Sequence, residues 1–192
     1  MIPVVQQREP EDFDEKVRRP GNEYLQQHPD VKASKLPDYW TSMSENLWKA
    51  YGGICAYLAI FFDSAIGSTI DHFIPKSRNK QMAYEWSNYR LASWGMNRKK
   101  ARKNVLDPFA LRPDSFRINF SNGEICPNPA QDADYQERCR DTICALGLNE
   151  SRNKEMRIRH FDEYFRNDVS LEYLEKNSPF VHSEVVRQNL QR

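Results

Sequence analysis

The chain is 192 residues long, 29% charged and 39% hydrophobic, with eleven prolines, which describes a soluble, loop-rich globular domain with room for an extension. Its start turns acidic at once ("MIPVVQQREPEDFDEK"), and its longest apolar run, Ile54 to Phe62, falls well short of the roughly 20 residues a membrane helix needs. Neither a signal peptide nor a membrane span is therefore expected, the cytoplasm is the expected compartment, and a net charge of +1 gives no reason by itself to expect nucleic acid.

Residues 1–40 are rich in Pro, Gln and charge. They read as an arm packed on the body through Tyr39 and Trp40, with Phe13, Val17, Tyr24 and Leu25 anchoring a short helix. "TSMSENLWKAYGG" predicts a helix capped by Ser42 or Ser44, with Leu47, Trp48 and Tyr51 on its apolar face and Gly52-Gly53 as its stop. Residues 54–75 have strand composition with a turn at "AIG", Ala65 to Gly67. A short strand near Leu91 and a basic helix from Gly95 or Met96 follow, and "DPF" at Asp107–Phe109 closes that unit, since Pro108 disfavours helix before it. "FRINFSNGEICP" alternates Phe116, Ile118 and Phe120, turns at Asn122-Gly123 and returns through Ile125, a hairpin pattern. Three helices are predicted beyond it: 132–146 ending at Gly147, 150–167 with Met156, Ile158, Phe161, Tyr164 and Phe165 on its apolar face, and 180–191 after Pro179. No internal repeat or low-complexity tract is present.

The four cysteines (Cys55, Cys126, Cys139, Cys144) show no C-x-x-C spacing and are expected as free thiols of a reducing compartment. Charge is unevenly placed. Between Lys76 and Lys103 there are nine Lys or Arg and one acid, Glu85. Such a concentration is the footprint of a phosphate-binding surface, or, read blandly, a solvated basic helix.

Four residues stand out by order and spacing. Asp71-His72 lies on a predicted strand in "STIDHFIPKS"; Asn88 follows His72 by 16 residues in "EWSNYRLAS"; Asn97 follows nine later in "GMNRKK", at the head of the basic helix. Singly, each has a dull reading: a hydrogen-bonded structural histidine, a turn residue, a helix cap. Together, in strand–loop–strand–helix order, they resemble the HNH endonucleases. The resemblance is close from about Cys55 to Lys103. More loosely, through "PEDFDEKVRRPG", "VLDPF" and "TICALGLN", the chain is similar to stand-alone bacterial HNH proteins of anti-phage defence, of the Septu and retron-associated type, some of them partners of ATPases.

That resemblance implies an α+β fold: a ββα-metal core at 51–110, an N-terminal arm and helix at 1–50, and a hairpin with helices at 111–192, together expected as a single compact unit. It implies a metal-dependent nuclease in which His72 is the general base, Asp71 and Asn97 hold Mg²⁺ or Mn²⁺, and Asn88 ties the loop and orients His72. An imidazole has the pKa range for a base at neutral pH, and Mg²⁺ needs few protein ligands because it keeps waters and takes phosphate oxygens. Lys76, Arg90, Arg98, Lys99, Lys100, Arg102 and Lys103 are expected to hold nucleic-acid phosphates, with DNA favoured over RNA. Neighbouring residues of a strand face opposite sides, so a local distortion at Asp71-His72 is expected to aim both at one phosphate.

Many HNH proteins carry a zinc knuckle, and its four positions fall here on Cys55, Leu58, Ser93 and Met96. One thiol does not hold tetrahedral zinc, so no structural zinc is expected and apolar packing is expected in its place. His28, His160 and His182 are read as surface or packing residues; Trp86 and Trp94 have rings that can stack on bases, but their apolar surroundings in the sequence place them in the expected core. The alternative is a catalytically silent HNH-like subunit that binds nucleic acid within a larger complex. Residues 1–50 and 115–192 carry no identified chemistry and are candidate surfaces for an ATPase or other defence-system partner.

Overall fold

A computed structural model of the chain describes residues 1–63 and 67–192. Among the described residues it is a mixed α+β protein with two two-stranded antiparallel sheets and seven α-helices. No helix among them is long and apolar enough to cross a membrane. Two compact units form: Val5–Cys55 with Phe62–Arg102, here the cleft unit, and Met1–Val4 with Ala56–Phe61 and Lys103–Arg192, the helical unit.

In the cleft unit, Phe13 and Val17, four residues apart and fully buried, anchor the N-terminal segment. Asp14–Arg18 is π-helical and runs directly into α1, Arg19–Gln27. Pro20 accounts for the widened turn: its ring crowds the carbonyl one turn back, at Lys16, and it has no N–H to give. Gly21 is required by packing, because a Cβ there would sit 2.2 Å from the ring of buried Tyr84. A 3₁₀ segment, Tyr39–Met43, leads into α2, Ser44–Ala50, which ends where Gly52 and Gly53 take positive φ. Trp40, Met43 and Leu47 then join Phe13, Tyr84, Trp86 and Tyr89 in one core.

The apolar run from Ile54 to Phe62 does not form the expected strand. It contributes isolated bridges at Ile54 and Phe61, with turns between, and Ala59 has φ +53. Cys55, Tyr57 and Ala59 are all buried, so the run meets apolar surroundings without the one-face burial that fixes a strand's register. The turn expected at Ala65–Gly67 lies largely outside the described residues.

Strand β1, Ser68–His72, pairs antiparallel with β2, Tyr89–Ser93, and α3, Trp94–Lys100, follows at once. Ser93 starts the helix, its Oγ accepting from Met96 N at 3.2 Å. Ser93 and Met96, two of the knuckle positions, thus have other work: Ser93 caps, and Met96 is buried.

In the helical unit the hairpin forms as expected. Strand β3, Phe116–Asn119, pairs with β4, Glu124–Pro127, in register Ile118↔Ile125. The turn spans four residues, and Gly123 has φ +70 with Lys154 O only 2.5 Å from any Cβ placed there. Helix α4, Ala133–Leu146, is capped by Asp132 and stopped by Gly147 at φ +60. Helix α5, Ser151–Phe165, buries Tyr164 as expected but leaves Phe165 55% exposed, and it buries Arg157 instead. Arg157 donates to Gly123 O and Leu148 O, each at 2.7 Å, and burial brings its pKa down to about 10. The last predicted helix forms as α7, Pro179–Arg187, and is preceded by an unpredicted helix, α6 Leu171–Asn177; Pro179 divides them, because it can open a helix but not continue one.

Candidate functional site

The 16-residue step from His72 to Asn88 is closed by Asn88 itself. Its Oδ1 accepts from Ile74 N at 2.7 Å, and its Nδ2 donates to Ile74 O at 3.1 Å and Met82 O at 2.8 Å. Its backbone carbonyl accepts from Phe73 N at 2.9 Å. A 2% exposed amide thus satisfies three backbone groups that the connection would otherwise bury unpaired. By holding Met82 O, Asn88 also fixes the adjoining peptide of Ala83, whose carbonyl meets the histidine.

His72 Nε2 lies 3.0 Å from Ala83 O, which also accepts from Tyr89 Oη at 2.8 Å. A carbonyl only accepts, so Nε2 carries the proton and Nδ1 keeps the lone pair. The ring is 9% exposed and wedged edge-on against Trp40 (centroids 4.8 Å apart) and Tyr89 (5.2 Å). Burial, helped by the nearby charge of Lys76, pulls its pKa down to about 3, against a smaller opposing pull from the Ala83 hydrogen bond. At neutral pH His72 is an uncharged imidazole.

The pairing of β1 is regular from Ser68↔Ser93 to His72↔Tyr89, with no bulge. The expected distortion is absent, and the geometry reaches one cleft by another route. Among the described residues β1 pairs with β2 alone, so its other edge faces away from β2. Ile70 O and His72 O, two residues apart, are both met by α3: Asn97 Nδ2 donates to Ile70 O at 3.3 Å and Lys100 Nζ to His72 O at 2.9 Å. A cleft of about 530 Å³ runs along this edge, and Thr69, Ile70, Asp71 and His72 line it consecutively. Residues on opposite faces of a strand can share a cleft that lies along its rim. Asn97 also lines it, as do Lys76, Trp94 and Arg102; Asn88 does not.

Asp71 is 2% exposed and its two carboxylate oxygens lie 3.1 and 3.3 Å from Lys100 Nζ. Lys100 is fully buried. It is a built-in counter-ion and not a phosphate contact. Arg90 is likewise withdrawn, 3% exposed and donating to Ser87 O at 2.8 Å and Tyr89 O at 3.0 Å. Lys103 belongs to the helical unit and donates to Ala145 O near the end of α4 at 2.8 Å. Burial therefore removes Arg90 and Lys100 from the expected phosphate-binding set, while Lys103 is exposed. Arg98 and Arg102 are exposed, and the Lys76 ammonium sits 3.8 Å over the Trp40 ring, its pKa lowered by partial burial.

Trp94 was expected in the core and is 64% exposed, whereas Trp86 is buried as expected. Helical spacing carried the missed signal: Trp94, Asn97 and Arg98 fall at i, i+3 and i+4, one face of α3. Ala101 follows the helix at φ +44 and lines the cleft, a costly backbone state for a residue with a Cβ.

Mg²⁺ and Mn²⁺ take hard oxygen donors, and the Asp71 carboxylate and the Asn97 amide oxygen are of that kind. The donor chemistry fits such a cation, with the Lys100 ammonium as its competitor for Asp71. Among the described residues no group of three or more His, Cys, Asp and Glu converges as for a metal held by protein ligands alone. No protein-family model and no curated protein matches the chain.

Proposed function

We propose that the chain is a metal-dependent HNH endonuclease of ββα-metal type, hydrolysing phosphodiester bonds of nucleic acid, DNA foremost. The observation that carries the reading is one cleft bringing together Asp71, His72 and Asn97 beside two cationic side chains, Lys76 and Arg102. His72, with Nε2–H committed to Ala83 O, takes the proton of the attacking water at Nδ1. The water oxygen bonds to phosphorus, the bond to the 3′ oxygen breaks, and that oxygen is protonated from solvent. Asp71 and Asn97 would hold a divalent cation, which supplies Lewis-acid stabilisation of the charge on phosphate and leaving oxygen. Arg102, Arg98 and Lys76 position the backbone through its phosphates. The role is that of an effector in bacterial anti-phage defence, in the cytoplasm, with an ATPase or other defence protein as regulatory partner.

The test is plasmid incubation with Mg²⁺ or Mn²⁺. Wild type is expected to nick or linearise it, and His72→Ala to be slower by about 10²–10⁴-fold, the usual worth of a general base. Equal cleavage by His72→Ala would falsify the proposal. The Asp71–Lys100 pair favours one second reading, a silent binding subunit, since the carboxylate is already neutralised. Binding of DNA by wild type with no cleavage, with or without the partner, would select it.

A further inference from the structure

Within the cleft unit, Trp94 is the one aromatic side chain left mostly in water among the described residues, at 64% exposure. Folding gives no reason for this: a Trp on a seven-residue helix buries more apolar surface inside a core than at its edge. No aromatic ring or cation stacks on it among the described residues. It walls two clefts, one of about 530 Å³ holding Asp71, His72 and Arg102, the other of about 460 Å³ shared with Asn97 and Arg98. One turn of α3 therefore presents an indole plane, an amide and a guanidinium in succession, directly beside the candidate catalytic groups.

From this placement we infer that Trp94 is a stacking platform for an unpaired base next to the cleaved phosphate, so that the chain prefers single-stranded or locally melted nucleic acid. The inference rests on the nucleic-acid reading above and adds a substrate class to it. In a duplex both faces of each base are covered by neighbours, and an indole gains a face only where a base is unstacked. The surrounding charge selects the occupant: Arg98 and Arg102 suit a phosphate-bearing chain, which neither a second copy's apolar surface nor a lipid acyl chain offers.

Binding is measured in EDTA by fluorescence anisotropy with a labelled 20-nucleotide single strand and with the same sequence as duplex. The full chain is compared with Trp94→Ala and Trp94→Phe, and tryptophan emission is followed alongside. Trp94→Ala is expected to lose about 5- to 150-fold in Kd for the single strand, the range of one base–aromatic stack, with duplex affinity within about twofold. Trp94→Phe retains most of the affinity but loses the emission quenching that the single strand causes in wild type. Unchanged single-strand affinity in Trp94→Ala, or equal losses for both forms, overturns the inference. If His72-dependent plasmid cleavage persists in that case, the nuclease reading stands without it. If wild type binds and cleaves neither form, both fall.

Discussion

Replacing Lys100 with Met removes a fully buried charge. The Asp71 carboxylate, 2% exposed, loses a partner 3.1 Å away, and His72 O loses a donor at 2.9 Å. At an effective dielectric of about 20, the lost attraction over 3.1 Å is about 5 kcal/mol. Breaking one side of buried ion pairs elsewhere costs about 3–5 kcal/mol. Lys100→Met is therefore expected to lower the unfolding free energy of the cleft unit by about 3–5 kcal/mol in urea titrations with EDTA, followed by circular dichroism and tryptophan emission. Asp71→Asn/Lys100→Met, which removes both charges, should recover at least about 2 kcal/mol of that loss. If Asp71 also accepts a divalent ion, Mg²⁺ at about 100 times its Kd should return about 2.7 kcal/mol to Lys100→Met and nothing to the double variant. A Lys100→Met protein within about 1 kcal/mol of wild type in EDTA would refute the account of the pair as buried and coupled.

In EDTA the unfolded His72 titrates at its ordinary value near 6.5, while burial holds the folded ring at about 3. Between those values the unfolded state binds the extra proton, so stability falls as pH falls, by about 1.4 kcal/mol per unit, and His72→Phe should lose that part of the slope in urea midpoints at pH 7, 6 and 5. Asn88→Ala strips partners from Ile74 N, Ile74 O and Met82 O. It should cost about 2–4 kcal/mol by the same titration and depress cleavage, although Asn88 does not line the cleft.

Local chemistry was the legible part of this chain. Asp132 and Gly147 bound α4 because a capping carboxylate and a left-handed glycine act within one turn, whatever else packs nearby. The hairpin at Phe116–Pro127 followed from alternation and its Asn-Gly turn. The spacing picked out Asp71, His72 and Asn97, which line the cleft, and Asn88, which does not, but not how the first three reach it. Which basic residues face solvent depends on tertiary partners many positions away: Lys100 finds Asp71, 29 residues back. Composition alone made it one more lysine of a basic helix. Trp94 misled in the opposite direction, since hydrophobicity predicts burial and its exposure depends on what packs beside the first turn of α3. The Ile54–Phe62 run misled because continuous apolarity is shared by buried strands and buried turns.

Helix α3 also settles how wide the small sheet can be. By answering Ile70 O and His72 O with side chains of Asn97 and Lys100, it plugs the acceptors that a third strand would need. This edge of β1 is in this way closed to strand addition, the route by which bare sheet edges recruit other chains. The seal and the counter-ion of Asp71 are the same ammonium, so whatever draws Lys100 away from the carboxylate also unplugs the rim of β1.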